Sequence, residues 1–279
     1  MTPPPPGFVS YYEINFEHIL DVALRGVRRA AVFIGLGVNA AMDPAFKSFE
    51  LTKFTMLRLV PGGLPPEVLT EVKENFRLWV EAAGFRELTE TFGVFLDEVH
   101  RACSLALGFA QNQALTAEQV NVADERHTSF VGEGIPNKLN ILQQRFGFSA
   151  QHVSELKSLN KARNCFAHRR GIVAAQDYNC EDALAVSWLG MDIVVVENET
   201  GNEHIIQVDS GDVLLEHGGR VEARFLLRVR RFTQGEAIKF STRDLAEICW
   251  FYDREARTLC AKAIEYSKAA GVPMRDEPP

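Results

Sequence analysis

The sequence is poor in cysteine and has no long apolar run. Its five cysteines show neither CxxC spacing nor close pairs, which argues against a zinc knuckle or a disulfide scaffold and favours a reducing cytoplasm. The most apolar stretch, residues 30–42, is shorter than the ~20 residues of a membrane-spanning helix. The first residues, MTPPPPGF, lack the charged lead and the apolar core of an export signal. We therefore expect a cytoplasmic protein with no membrane partner.

Motifs for metal and nucleotide chemistry are also missing. The sequence has no HExxH, no Walker phosphate loop and no nucleophile elbow, and Gly35 and Gly37 lack the third glycine of a dinucleotide-binding loop. The net charge of −7, from 30 basic and 37 acidic residues, argues against a surface that coats nucleic acid over long distances. We expect neither a metal ion nor a cofactor, and any contact with nucleic acid should be local.

The most informative segment is ARNCFAHRRG, at residues 162–171. Apolar side chains recur at steps of three or four residues up to and into this segment, as a half-buried helix requires; they are Val153, Leu156, Leu159, Ala162 and Phe166. Gly171 predicts the end of the helix, since glycine best adopts the left-handed conformation after a last turn. The pattern places Arg163, Asn164 and His168 in the closing turns of one helix.

These three side chains supply the groups that cleavage of a phosphodiester requires. Histidine titrates near neutrality, so His168 can transfer a proton while a ribose 2′-hydroxyl attacks the adjacent phosphate, with no metal and with a 2′,3′-cyclic phosphate as product. The planar guanidinium of Arg163 matches phosphate oxygens and can stabilise the extra negative charge of the transition state. Asn164, one turn before His168, can orient the imidazole or the substrate. All three are candidate catalytic residues.

The candidate catalytic residues do not share one face of the helix. At about 100° per residue, Arg163 emerges roughly 140° from His168. Either the helix unwinds near His168 or a second copy of the chain completes the site, and we favour a homodimer through the motif helix. Nearby basic residues are candidates for binding substrate: Lys157, Lys161, Arg169 and Arg170.

A purely structural interpretation of the same residues stays open. Helices often end in basic residues followed by glycine because these cap the helix and complement its dipole. An arginine followed at a similar distance by a histidine also occurs at Arg145 and His152, where Gly147 interrupts any helix. Cys165, inside the motif, is interpreted as a small core residue. The asparagine directly after Arg163 and the helical setting distinguish the first match.

The run LNKARNCFAHRRGIV resembles the signature of the HEPN superfamily. In that signature an arginine, a polar residue and a histidine about four to six residues beyond the arginine end a helix of an all-helical bundle; Arg163, Asn164 and His168 match these positions. The resemblance implies a metal-independent endoribonuclease that acts as a dimer in toxin-antitoxin, antiphage defence or RNA-processing systems, although other members are inactive binding modules. It covers the motif helix closely, residues 86–148 loosely and residues 1–80 hardly at all.

Hydrophobic patterning predicts a mainly α protein with a small antiparallel β insertion before the last helix, and the resemblance makes it an up-and-down bundle. We expect helices at residues 16–40, 65–80, 86–107, 137–146, 153–170 and 241–270, and strands at 183–188, 193–197, 204–208 and 221–232. Residues 111–135 are expected to form a polar loop with at most a short helix, which would be a natural gate. The expected division is an N-terminal helical region at 1–84, a core with the motif at 85–182, the β insertion at 183–240 and a C-terminal helix packing on the core at 241–279.

Two charged surfaces have alternative interpretations. The strand at residues 221–232 places Arg224, Arg228 and Arg230 on one face, which either steers RNA or is a solvated outer face protected from edge pairing. A set of side chains on the helix at 86–107 is interpreted as a solvated polar face; it consists of Glu87, Glu90, Asp97, Glu98 and His100.

The functional expectation is an endoribonuclease whose partners are RNA, a second copy of the chain and, in a toxin or defence setting, an antitoxin or defence-complex protein. The alternative from another class is a non-catalytic binding or scaffold subunit in which the motif caps a helix and braces an interface. A third interpretation is an RNA-binding module that uses the arginines of the strand at 221–232.

Overall fold

The computed structural model describes residues 12–46, 65–112, 115–206 and 218–275. Within these ranges the chain forms six helices and three strands, which we number in chain order: α1 (Phe16–Met42), α2 (Pro66–Asn112), α3 (Ala117–Val131), α4 (Ile135–Phe146), α5 (Val153–Arg169), β1 (Leu184–Glu197), β2 (Glu203–Ile206), β3 (Gly219–Phe232) and α6 (Thr242–Ala269). A 3₁₀ turn, Ala175–Asp177, follows α5. The prediction of a mainly helical protein with a small antiparallel sheet before the last helix is confirmed.

The longest helix, α2, is one continuous element of 47 residues where two helices were expected. Gly84 does not end the helix, because it lies where α1 approaches closely: a Cβ at this position would lie 2.4 Å from Cδ1 of Ile34. Gly26 and Gly37 of α1 allow equally close contacts with α2. These glycines indicate tight helix packing, and the boundary expected between residues 84 and 85 falls inside α2.

The prediction of a polar gating loop at residues 111–135 is wrong, because α3 occupies most of that range. Thr116 caps α3 through a reciprocal pair of hydrogen bonds with Gln119. The helix buries few apolar side chains, one of them Phe130, which is 2% exposed. Residues 113 and 114 lie outside the described residues. The start of α4 was also misplaced: Gly134 is its N-cap, so Asn137 lies inside the helix.

The inserted sheet has the order β2-β1-β3, with antiparallel pairing throughout. β1 pairs with β3 along all 14 residues, so the expected interruption at Gly190 is wrong. A Cβ at Gly190 would lie 2.6 Å from Oε2 of Glu247, which means that this glycine allows α6 to pack closely on the strand. β2 begins one residue earlier than predicted, and residues 207 and 208 lie outside the described residues.

One hydrophobic core joins the sheet to most of the helices, including the N-terminal α1. Its largest fully buried side chains come from α2, β1 and α6, and they include Phe85, Phe92, Phe95, Trp188, Phe251 and Tyr252. The motif helix α5 contributes Leu156, Leu159 and Ala162. Because α5 is packed on one side against this core, only its remaining surface can meet a substrate. Among the described residues, no helix combines the length and apolarity that crossing a membrane requires.

Candidate ribonuclease site

The motif helix ends where the sequence predicts. α5 runs to Arg169, after which Arg170 and Gly171 adopt left-handed conformations with φ of 54° and 79°. The backbone N–H groups of both residues donate to the carbonyl of Cys165 and so close the last turn. The segment that carries Arg163, Asn164 and His168 therefore forms the closing turns of a regular helix.

The chain that leaves α5 is fastened to the segment that leads into α6. The N–H of Ile238 donates to the carbonyl of Gly171 at 2.8 Å, and the N–H of Val173 donates to the carbonyl of Glu236 at 2.9 Å. Because these bonds begin only three residues after His168, unwinding the end of α5 would disturb them. Local unwinding, one of the two routes that could bring His168 and Arg163 to one phosphate, therefore carries the cost of losing these bonds.

Arg163 is held at the surface by two neighbours. Its Nη2 donates to Oε1 of Glu90 on α2 at 3.1 Å, and its Nη1 donates to Oδ1 of Asn164 at 3.2 Å. The side chain is 26% exposed, and its buried Nε has no hydrogen-bond partner within the described part of the chain. The guanidinium is thus oriented while part of it still faces solvent, where a phosphate oxygen could reach it.

His168 is exposed, and the described residues offer its imidazole no hydrogen-bond partner. No hydrogen bond connects it to Arg163, which emerges roughly 140° around the helix, or to Asn164, which lies one turn before it on the same side. The structure brings Arg163 and Asn164 together and leaves His168 apart. An exposed imidazole without a hydrogen-bond partner is open to a substrate and can exchange protons with it.

The four candidate substrate-binding residues fall into two groups. Lys161 donates to the carbonyl of Tyr178 at 2.6 Å, and Arg169 forms an ion pair with Asp177. Lys157 makes only a 3.3 Å hydrogen bond to the neutral Oδ1 of Asn140, and exposed Arg170 has no side-chain partner among the residues described. Lys157 and Arg170 are therefore the freer pair, while Lys161 and Arg169 also stabilise the chain that follows α5.

Asp177 explains why Arg169 is so firmly fixed. Burial tends to raise the pKa of Asp177, but the Arg169 guanidinium and the N–H of Ala174 outweigh it and lower this pKa. The hydrogen bond from Arg169 to this carboxylate in turn raises the pKa of Arg169. This charged pair braces the 3₁₀ turn against the last turn of α5.

Cys165 lies inside the motif and faces the core. It is fully buried, and its Sγ donates to the carbonyl of Ile172 at 3.3 Å. Burial raises the pKa of the thiol to about 11, so the reactive thiolate is disfavoured at neutral pH. The interpretation of Cys165 as a small core residue is confirmed, and the motif has no cysteine nucleophile.

Sequence reasoning missed Glu90 as part of the site. The carboxylate was assigned to a solvated polar face, yet it binds Arg163 although the two residues are 73 positions apart. A local pattern carries no signal for such a contact, because it depends on how α2 packs against α5. Asp97 and His100 of the same presumed face are buried, so that interpretation is wrong for them.

The arginine face of β3 is occupied by the protein's own carboxylates. Arg224 pairs with Glu203 and Glu222, and Arg228 pairs with Asp192 and Glu247. Arg230 forms two hydrogen bonds with Asp244 of α6. The face is partly solvated, since the side chains of Arg224 and Arg230 are 40% and 52% exposed, and acidic partners neutralise the charges of all three arginines. The more exposed side of β3 is apolar, with Val221, Phe225, Leu227 and Val229 about half exposed or more.

No group of three or more histidine, cysteine, aspartate or glutamate side chains in the described ranges could hold a metal ion. The geometry around α5 therefore offers a positioned guanidinium, an amide and a separate exposed imidazole. Comparisons with protein-family models, with curated proteins and with solved structures give no significant match for this chain.

Proposed function

We propose that the chain is a metal-independent endoribonuclease of the HEPN type. The observation that carries this proposal is the end of α5, where Glu90 and Asn164 orient Arg163 at the surface while the imidazole of His168 stays exposed and unpaired. An oriented guanidinium and a free imidazole are the two groups that transfer of a phosphoryl group to a neighbouring 2′-hydroxyl requires. Its biological role would be that of a toxin or an antiphage defence effector, as the family resemblance implies.

The reaction forms a bond between the ribose 2′-oxygen and phosphorus and breaks the bond to the 5′-oxygen. The proton of the 2′-hydroxyl passes to a neutral imidazole or to water, and protonated His168 donates a proton to the leaving 5′-oxygen. Arg163 binds the non-bridging oxygens and stabilises the charge that accumulates on them. The products are a 2′,3′-cyclic phosphate and a free 5′-hydroxyl.

Two copies of the chain assemble the complete site in this proposal. Arg163 and His168 lie on different sides of α5, and the hydrogen bonds that hold the exit of the helix oppose its unwinding. A symmetric pairing of two α5 ends would place Arg163 of one copy beside His168 of the other. This arrangement would also provide one imidazole as base and another as acid.

One observation favours a second candidate function, a non-catalytic scaffold subunit. The ion pair between Arg163 and Glu90 already gives the guanidinium an acidic partner and ties α5 to α2. In a scaffold, this pair would brace the bundle and His168 would serve only as a residue of the helix end. The two functions differ in what the loss of His168 does.

The test is cleavage of a mixed RNA pool in EDTA by the wild type and by His168→Ala, Arg163→Ala and His18→Ala proteins. We expect wild type and His18→Ala to cut equally, because His18 is an exposed residue of α1 remote from α5 in sequence. The other two variants should not cut. Cleavage only with divalent ions, or equal cleavage by His168→Ala, would refute the mechanism. A His168→Ala protein that is markedly less stable and a wild type that never cuts would support the scaffold.

A further inference from the structure

A group of basic side chains lies between α2, α3 and α4, away from the motif. We call Arg126, His127, His100 and Arg145 the basic cluster. His100 is fully buried and its ring stacks on Phe130 with centroids 4.0 Å apart. Nη1 of Arg145 lies 3.4 Å from Nε2 of His100, and the His127 ring centroid is 6.3 Å from that of His100. These contacts bring His100, His127 and Arg145 together, and Arg126 precedes His127 on α3.

The guanidinium groups of Arg126 and Arg145 have no carboxylate partner within the described ranges. Asp97, which interacts electrostatically with His127, pairs with Lys138 at 2.6 Å, and Asp124 pairs with Arg101 at 3.4 Å. This differs from β3, where every arginine of the predicted face has an acidic partner. Arg126 is exposed and Arg145 is half-buried, so neither residue is sealed inside the protein.

Burial is the largest cause of the lowered pKa values in the cluster, and neighbouring positive charge adds to it. Burial and then the positive charge of Arg145 lower the pKa of His100 to about 4. Burial and then the charge of Arg126 lower the pKa of Arg145. An anion placed among these groups would relieve the repulsion.

Two imidazole nitrogens of the cluster are also unsatisfied. The Nδ1 atoms of His100 and His127 are buried and make no hydrogen bond to any described residue. A buried polar atom without a partner is unfavourable, and such atoms concentrate where a ligand or a rearrangement completes the bonding. Within the described residues, the protein therefore does not supply hydrogen-bond partners for all the buried polar atoms of this region.

The cluster lies on the same flank of α2 as the candidate catalytic arginine. Glu90, Gly93, Asp97 and His100 follow one another at steps of three or four residues and so share one side of the helix. Glu90 contacts Arg163 at one end of this row and His100 contacts Arg145 at the other. Ten residues at 1.5 Å each separate the two ends by about 15 Å. An RNA strand can span that distance with a few nucleotides.

We propose that Arg126 and Arg145, with His127 beside them, bind a backbone phosphate of the RNA substrate a few nucleotides from the bond that is cut at Arg163. The inference rests on the proposed ribonuclease function. The planar fork of a guanidinium matches phosphate oxygens, and two such groups without carboxylate partners form a site for a phosphate rather than for a neutral ligand. Contacts of this kind position a strand without reading its sequence.

The experiment measures binding of RNA that carries 2′-deoxy sugars and cannot be cleaved, at several salt concentrations. Arg126→Gln and Arg145→Gln are compared with Arg25→Gln, which removes an exposed charge of α1. For a strand of ten nucleotides we expect a loss of about three- to tenfold for each cluster variant and a salt slope reduced by about 0.7 per lost phosphate contact. A trinucleotide, too short to span both ends, should bind all variants equally.

Arg145→Lys guards against a folding artefact, since Arg145 also lies over the ring of Phe146 with its guanidinium carbon 5.7 Å from the centroid. It should bind better than Arg145→Gln at equal thermal stability. Unchanged binding by both Gln variants, or an equal loss in Arg25→Gln, would overturn the phosphate site. If binding is unchanged in this way but His168→Ala abolishes cleavage, the phosphate site is refuted while the proposed ribonuclease function is supported. If the wild type needs Arg126 and Arg145 to bind RNA but never cuts it, the proposed ribonuclease function is refuted and the proposed phosphate site is supported.

Discussion

The arginines of β3 and the basic residues that end α5 differ in what their charges meet. Arg228, the central arginine of the β3 face, lies between Asp192 and Glu247 and has little capacity left for a ligand. At the end of α5, His168 and Arg170 meet no acidic side chain of the described residues, and Arg163 meets one carboxylate that is itself 54% exposed. A row of arginines in a sequence therefore does not identify a binding surface. The carboxylates that other elements bring to it decide whether its charge is available.

The largest expected difference between the end of α5 and the arginine face of β3 is in the rate of RNA cleavage. Arg163→Lys keeps the charge but loses the fork that binds two phosphate oxygens, so we expect cleavage to fall about 10²-fold or more. Arg28→Lys, a change at an exposed position of α1, is the matched control. The measurement is the single-turnover rate on a defined RNA in EDTA. If the two variants cleave at equal rates, Arg163 has no special role.

Replacing an arginine on β3 should lower the stability of the fold and leave the rate of RNA cleavage unchanged. Arg228→Met removes one of the two cations of Glu247, which is 9% exposed and accepts a hydrogen bond from Trp188, and leaves Arg243 as the other. We expect a loss of about 2 kcal/mol in the free energy of unfolding, measured with urea. Arg220→Met removes a more exposed pair with Glu222 and should change stability by about 0.5 kcal/mol or less. Equal losses in both variants would contradict this distinction.

Glu81 of α2 is a buried carboxylate that extends the comparison of paired and unpaired charges. Its arginine partner does not compensate for its burial. Burial raises the pKa of Glu81 to about 7 although Arg77 lies 2.7 Å away. The folded state thus binds a proton more tightly than the unfolded state, and stability falls as pH rises from the ordinary value of 4.5 to about 7 and then levels off. Glu81→Gln should therefore be more stable than wild type by about 1 to 2 kcal/mol at pH 8.

At pH 4 the Glu81→Gln protein and the wild type should be equally stable, because the glutamate is then protonated in the folded state. Glu71→Gln, at an exposed position of the same helix, should show no such pH dependence. Thermal melts across this range provide the measurement. A wild type whose stability does not change between pH 4.5 and 8 relative to Glu81→Gln would show that Glu81 is not held protonated.

The smallest expected effect concerns Glu90, the acidic partner of Arg163. Glu90→Gln weakens the bond that orients Arg163, and a lost charge-assisted hydrogen bond of about 1 kcal/mol corresponds to about a fivefold lower kcat. Glu67→Gln, an exposed change in the first turn of α2, is the control. Saturating RNA separates kcat from KM. An unchanged kcat with tighter binding would mean that Glu90 competes with the phosphate instead of positioning the arginine.

Local signals in the sequence were sufficient for the elements whose apolar residues repeat strongly. α1, α5 and α6 bury one stripe each against the common core, so their periodicity is clear, and β3 alternates along its length. The end of α5 was predictable because Gly171 follows a basic last turn. The positions of Arg163, Asn164 and His168 on that helix follow from the same local pattern.

The errors arise where a distant contact decides the local structure. Breaks were expected between residues 80 and 86 and between residues 188 and 193. Gly84 and Gly190, which lie there, instead accommodate neighbours that only the tertiary fold supplies, Ile34 in one case and Glu247 in the other. α3 buries little and carries mostly polar residues, so its periodicity is weak. The contact of Glu90 with Arg163 depends on the packing of two helices that are far apart in sequence.

Backbone hydrogen bonds join Gly171 and Val173 to the segment before α6. They determine the shortest fragment of this protein in which the motif helix keeps its structure. A fragment that stops after residue 182 would contain every candidate catalytic side chain and still lose Glu236 and Ile238, the residues that secure the exit of α5. Its last helical turn would then fray into solvent. Truncation for biochemical work should therefore remove residues from the two termini and retain the sheet and α6.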